Sequence, residues 1–310
     1  MIIASSGNIS SVKIKDNFFN FLFAVPALAI FSFFYIYPFY EIFRLSLHEW
    51  NGISLTAQFV GLENFKEIMH DPVWWQAMGH AGYITLIALT FQNALALCLA
   101  LACDRDIKMR KFYRVVFYIP PVLSEVVVGL IWKWILYSGT QNGEHLGLLN
   151  YFLHKAGLDY LIHNWLSDPK TALTCIAVVH SWKGFGWGFI ILLAGLQTID
   201  RQLYEAAKVD GAGTWAVFKN VTIPMMIPVF VLVIILTLLG SMQVFVLVLS
   251  MVSQGLVYHT DVPVTRILSS MQQQGAERFG YACAQGIVFG AVLMIISFLQ
   301  IRLSKKMKQA

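Results

Sequence analysis

The 310 residues are 57% apolar and 14% aromatic, and only 13% carry charge, well below the ~25% of soluble globular chains. That composition excludes a soluble enzyme or binding module and leaves a membrane protein. The net charge of +5 raises the question of nucleic acid, which its distribution along the chain answers in the negative.

Crossing ~30 Å of hydrocarbon takes about 20 predominantly apolar residues. Six stretches can do it, roughly 18–43, 76–103, 112–137, 171–197, 224–252 and 281–303. The organisation expected is therefore a polar tail over 1–17, a transmembrane domain over 18–303 and a basic tail over 304–310. No cleavage-site pattern precedes the first apolar run, so that run reads as a retained anchor.

The first span ends in Tyr35, Tyr37, Tyr40 and Trp50, an aromatic belt at the outer interface where Arg44 is expected to snorkel. The loop FVGLENFKEIMHDPVWW predicts a capped helix, with Trp74 and Trp75 at the water boundary. Gln92 and Asn93 fall near the middle of the second span, where polar amides are expected to bond to another helix. The third span should kink at Pro120-Pro121 and end with Lys133 snorkelling between Trp132 and Trp134. The apolar residues of LGLLNYFLHKAGL suit a helix lying on the outer surface.

Glu125 stands thirteen residues into the third span, about 20 Å along a continuous helix. Lys183 lies at similar depth in the fourth. Intramembrane charges pair with one another or face a wet cavity. Two readings follow: an ion pair joining the spans, or charges on a solute path, where an unpaired Lys183 would attract an anion. Around Lys183, HSWKGFGWGF offers Trp182 and its aromatic neighbours as stacking faces for sugar rings, or glycines for close helix packing. In the fifth span, which Pro224 is expected to begin, Ser241, Met242 and Gln243 interrupt the apolar run, and Gln243 is a candidate solute contact.

Between the fourth and fifth spans lies DRQLYEAAKVDGAGTWAVFKNVTIP, residues 200–224. Asp200 can cap a helix through Asp210, Gly211 can supply the left-handed residue that ends it, and Thr214 can cap a second helix over 215–222. Each piece falls short of the ~12 residues at which an isolated helix becomes even marginal in water. A second surface must hold it, whether headgroups or a groove on another protein.

Fourteen Lys and Arg fall in segments on one side of the six spans against five on the other. The first set includes both tails and the 200–224 element, so the positive-inside rule makes these cytoplasmic. Cys98, Cys103, Cys175 and Cys283 lie within spans without metal or redox spacing. No HExxH or nucleophile elbow appears among the scattered histidines, which counts against a membrane enzyme.

Glu205-Ala206-Ala207-x-x-Asp210-Gly211-Ala212, then Phe218 and Pro224, resembles the EAA loop of ATP-binding-cassette importer permeases of the sugar and glycerol-3-phosphate group. The tyrosine-proline exit of span one, GLENF and FGYACA are similar to the same family; Ser253-Gln254-Gly255 departs from its Gly-Gly-Pro run. The resemblance implies an all-α type I permease fold of six spans and a coupling helix in which Glu205 contacts a cytoplasmic ATPase, Gly211 makes the turn and Phe218 anchors the second piece. It further implies a second similar permease subunit, two ATP-binding subunits that hold ATP and magnesium, and an extracytoplasmic solute-binding protein at a bacterial-type inner membrane. No GxxxxGK[S/T] loop is present, so ATP hydrolysis is expected elsewhere. The solute implied is an oligosaccharide, with glycerol-3-phosphate or an acidic sugar as alternative. An ion-coupled carrier working through Glu125 is the other transport reading, against which stands the lack of an evident repeat between halves.

Overall fold

The computed structural model describes residues 21–105, 107–141, 144–145, 147–252, 257–272 and 278–307. Residues 1–17, the last three of the basic tail (308–310) and Ser253-Gln254-Gly255 lie outside them. In chain order the helices are α1 (Phe21–Ser46), α2 (Glu63–His70), α3 (Pro72–Asp104), α4 (Arg110–Val122), α5 (Glu125–Ile135), α6 (Leu148–Lys155), α7 (Ala172–Leu196), α8 (Arg201–Val209), α9 (Thr214–Met242), α10 (Val246–Met251), α11 (Val257–Thr260), α12 (Pro263–Gln272) and α13 (Phe279–Met307). Two two-stranded ribbons, β1 (His48–Glu49) with β2 (Gln58–Phe59) and β3 (Thr140–Gln141) with β4 (Glu144–His145), are antiparallel hairpins. Among the described residues five helices are long and apolar enough to span a bilayer, and six spans result when α4 and α5 count as one bent crossing.

The chain forms two compact units. The smaller takes residues 21–69 with 270–287. Its loops are fastened by the Asn64 amide, which donates to the Ser46 and His48 carbonyls at 2.9 and 3.1 Å, and by a bidentate pair between Arg278 and Glu67 at 2.6 Å for each bond. Hydrogen bonding to Glu67 raises the Arg278 pKa. In α1, Arg44 is paired with Glu41 at 2.7 Å rather than reaching alone for the interface. No residue in the apolar window of α1 is buried.

The larger unit, residues 70–269 with 288–307, is built around α7. This helix is mostly apolar and its apolar window is 56% buried, as suits a helix enclosed by others, and it packs against α3, α4 and α9. Its core joins Ala96, Ala100 and Cys103 of α3 to Phe185, Phe189 and Leu192 of α7 and to Met226 and Val233 of α9. Small residues on α3 let the backbones approach, which is how helices associate where lipid tails are as apolar as leucine. Asp71 caps α3 by accepting from the Val73 amide at 2.9 Å, with Pro72 at the first helical position. That start carries Trp74 into the core, fully buried, and only Trp75 meets the surface expected for both.

Three sequence expectations are corrected. The third span is not a single kinked helix: α4 ends at Val122, Leu123 and Ser124 are extended, and α5 leaves at 95°. Pro120 and Pro121 have no amide to donate to the Val116 and Phe117 carbonyls four residues back, which weakens the last turn of α4. Gly186 of α7 sits against this turn, where a Cβ would come within 2.5 Å of the Phe117 oxygen. Glu125 is therefore the first residue of a new helix, not the thirteenth of a continuous one.

The second correction concerns the fifth span, which starts at Thr214 and ends at Met242 instead of covering 224–252. A π-turn over Phe218–Thr222 carries the helix through Pro224, so 215–222 is no separate piece. Third, the cap at its start is Gly213 in extended conformation, with Thr214 already helical.

Candidate functional site

Two polar features stand out in the larger unit, one midway along the spans and one at their ends. The first is a cavity of about 400 Å³. On α7, His180, Lys183, Gly184, Trp187, Gly188 and Ile191 line it, a stripe at three- and four-residue spacing. On α9, Val233, Leu236, Thr237, Gly240 and Ser241 form the facing stripe, and Gln92 and Glu125 complete the wall.

Lys183 is eleven residues from the start of α7 and thirteen from its end. Its Nζ lies 3.8 Å from the Glu125 carboxylate, with 16% of the lysine side chain and 38% of the glutamate exposed. The contact is too long for a good hydrogen bond, so the pair is loose and open to the cavity. The two expectations for these residues are not exclusive: they pair, and they line the space. Glu125 also occupies the first turn of α5, where the free amide groups and the helix dipole favour a negative charge.

The adjacent amides of α3 divide the work that was expected of both. Asn93 accepts from the Thr237 hydroxyl at 3.0 Å, a helix-to-helix bond. Gln92 is 6% exposed, lines the cavity, and its Oε1 has no hydrogen-bond partner among the described residues. A buried acceptor in that state calls for a donor. Ser241 donates to Thr85 Oγ1 at 2.9 Å, closing the wall between α3 and α9.

The other candidates fall elsewhere. Trp182 meets Trp132 edge to face at 5.5 Å and packs on the core; Trp187, which meets Tyr118 edge to face at 5.4 Å, is the tryptophan on the cavity wall. Gln243 is the exposed C-cap of α9, two residues past the lining.

The second feature is α8. Asp200 accepts from the Gln202 amide at 2.9 Å and caps its start. At its end Gly211 has φ +73°; its amide donates to the Lys208 carbonyl at 3.0 Å and that of Ala212 to Ala207 at 2.9 Å. This is a Schellman motif, for which glycine is the low-strain residue. The helix contains no buried residue. Glu205, Ala206 and Asp210 are exposed and Ala207 and Ala212 half-buried; Val209 is 88% and Trp215 73% exposed.

What fixes α8 is Tyr204, which shares a hydrogen bond of 3.2 Å with Thr222 and packs on the core of α3, α7 and α9. Phe218 is half-buried, 5.6 Å from the Trp215 ring. Together they hold a short helix outward from the ends of two spans.

Residues 92–309 match the family described as "Binding-protein-dependent transport system inner membrane component". The chain is 32% identical to the probable ABC transporter permease protein YurN of Bacillus subtilis, covering 95% of this chain and 99% of that one. It is 29% identical to the lactose transport system permease protein LacF of Rhizobium radiobacter, over 96% and 98%. A solved bacterial alginate ABC transporter, in complex with an alginate pentasaccharide-bound periplasmic protein, contains a chain of the same fold. Its TM-score is 0.81 at 22% identity, with 96% and 98% of the two chains covered.

Proposed function

The chain belongs to the family of binding-protein-dependent transport system inner membrane components, and on that premise we propose that it is a permease subunit of an ATP-driven saccharide importer. The observation that carries the proposal is α8: a capped helix with no buried residue, joined without a break in the second helix to a span that lines the mid-membrane cavity. A short helix in that position needs a partner surface to hold its apolar residues, and a cytoplasmic ATPase supplies both the surface and the force. Glu205 is the polar contact on that face, Ala206, Ala207 and Ala212 permit close approach, and Asp210, Gly211 and Phe218 set the angle of the knob.

The coupling is mechanical. From Trp215 to Thr237 runs one helix, about 33 Å long at 1.5 Å per residue, with the π-turn absorbing Pro224. Movement of α8 on ATP binding therefore reaches the cavity wall at Thr237, Gly240 and Ser241 as displacement of a rigid rod. ATP and magnesium belong to the ATPase partners; this chain supplies path and lever.

The cavity suits a neutral, hydroxyl-rich solute. Gln92 offers an idle acceptor, Trp187 an aromatic face, and Lys183 with Glu125 a donor and an acceptor whose charges cancel. An anionic solute was attractive only if Lys183 stood without a counter-charge, and Glu125 provides one. Half a path lined in this way implies a second permease subunit opposite it, and an extracytoplasmic binding protein to deliver the solute. The membrane is the bacterial-type inner membrane, with both termini and α8 on the cytoplasmic side.

A pull-down of partner subunits from native membranes tests this reading. The wild-type chain should bring down an ATPase, and Glu205→Lys, expressed and inserted equally, should lose it. No ATPase with the wild type under several mild extraction conditions would contradict the proposal.

A further inference from the structure

The smaller unit has a pocket of its own, about 330 Å³, between the β1–β2 ribbon and the start of α13. Glu49 and Gln58 stand opposite each other in the ribbon, which puts their side chains on one face. Both line the pocket, with Trp50, Asn51 and Thr56 of the connecting loop and Arg278 beside α13.

Local bonds hold this wall in shape. Asn51 Oδ1 accepts the Ile53 and Ser54 amides at 3.1 and 2.8 Å, and the Trp50 indole N–H donates to the Ser54 carbonyl at 2.8 Å. The Gly280 amide donates to the Trp50 carbonyl at 3.3 Å, and Gly280 passes so close to the His48 carbonyl that a Cβ would not fit. Arg278 is engaged by Glu67, and its guanidinium lies 4.3 Å over the Tyr281 ring.

What these bonds leave over is a mixed set. The Glu49 carboxylate can accept, Asn51 Nδ2 can donate, and the Thr56 hydroxyl and the Gln58 amide can do both. None of these groups has a hydrogen-bond partner among the described residues. A bound anion calls for donors alone and a metal ion for acceptors alone, whereas a hydroxyl both donates and accepts. The half-buried Trp50 indole adds an apolar wall suited to the C–H face of a ring. The volume falls at the lower end of the ~300–1,000 Å³ of small-molecule sites, which suits one ring rather than a chain of them.

We propose that this pocket binds a single pyranose ring, at residues separate from those of the mid-span cavity. The inference rests on the importer reading for its side of the membrane: on that topology the loop after the first span is extracytoplasmic. A ring held there belongs to solute that has not yet entered the path.

The test uses the assembled transporter, purified with its own partners in mild detergent, in the wild-type and Gly240→Phe forms. The latter fills the mid-span cavity and isolates the pocket. Methyl α-glucopyranoside, methyl β-galactopyranoside and methyl α-mannopyranoside are titrated separately and followed by saturation-transfer NMR. At least one should bind to both forms. Adding Thr56→Val and Gln58→Ala, both at exposed positions, to the Gly240→Phe form should weaken that binding on the order of tenfold, as the loss of two hydrogen bonds requires.

Binding of none of the three glycosides to the Gly240→Phe form would overturn the proposal. So would a Thr56→Val, Gln58→Ala variant that binds them undiminished. If that variant also lost a co-purifying extracytoplasmic protein, the pocket would be a protein-docking surface instead. Neither ATP hydrolysis nor uptake is read, and the ATPase is scored separately in the purified complex. A complex that holds its ATPase and binds no glycoside overturns this inference alone; one without an ATPase overturns the importer reading.

Discussion

The mid-span cavity and the α8 knob are both polar interruptions in an apolar chain, and they are built in opposite ways. The cavity draws Gln92, Glu125, Lys183 and Thr237 from four helices, and its polar groups are partly satisfied by one another. The knob is a single run of sequence whose helix ends are closed by local hydrogen bonds and whose apolar residues are left outside. A feature assembled from distant segments holds something passing between them; one assembled locally and left uncovered waits for a surface.

If that contrast is right, the two regions should fail differently. The largest effect is expected from Gly211→Pro, because φ +73° is closed to proline, whose ring fixes φ near −65°. The Schellman turn would be lost and α8 re-aimed. Co-purification of the ATPase and solute-stimulated ATP hydrolysis should fall more than about tenfold, in keeping with loss of a central docking element, while insertion in the membrane is unchanged.

A smaller effect should come from Glu125→Lys. It places two cations about 4 Å apart in a half-open cavity, where the cost is on the order of 1–2 kcal/mol after allowance for solvent. Transport should drop severalfold with the ATPase still bound. Adding Lys183→Glu should restore much of the loss, as measured by solute uptake in vesicles; a double variant as impaired as the single one would remove the pairing from the account.

The smallest effect lies away from both regions and serves to sharpen the contrast. Burial raises the Asp261 carboxyl pKa above its ordinary value, against the Thr265 hydroxyl at 2.9 Å and Arg266 at 3.5 Å. With the folded value raised, the folded state holds the extra proton. Stability from this group is therefore present below the unfolded value of about 3.9 and is lost as pH rises through the folded one. Asp261→Asn should flatten that slope in thermal melts taken upward from about pH 4, and leave coupling and transport as they were.

Legibility in the sequence followed the same division. The knob could be read almost residue by residue, since Asp200 as cap and Gly211 as terminator act within a few positions of themselves. Thr214 was misplaced by one residue and Pro224 misjudged, because a π-turn lets a helix pass a proline that ordinary spacing says should start it. The charges of the cavity were found by their depth alone, although the depth of Glu125 was counted along a helix that breaks before reaching it.

Two further parts of the wall carried a usable signal that went unread. His180 and Ile191 share the helical stripe of Lys183, and Thr237 and Gly240 share that of Ser241. Which of Gln92 and Asn93 turns inward, and which tryptophan of HSWKGFGW faces the space, could not be read, because both depend on neighbours from other spans.

The most direct test is Gly240→Phe in the reconstituted transporter. Gly240 lines the cavity and a Cβ added there meets nothing within 4 Å, so the ring has room to enter the cavity without the backbone shifting. Solute uptake and basal ATP hydrolysis are measured together. The account predicts that uptake is lost on the order of tenfold or more, as a blocked cavity requires, while the ATPase stays bound and basal hydrolysis persists. Uptake at the wild-type rate through a filled cavity would contradict it.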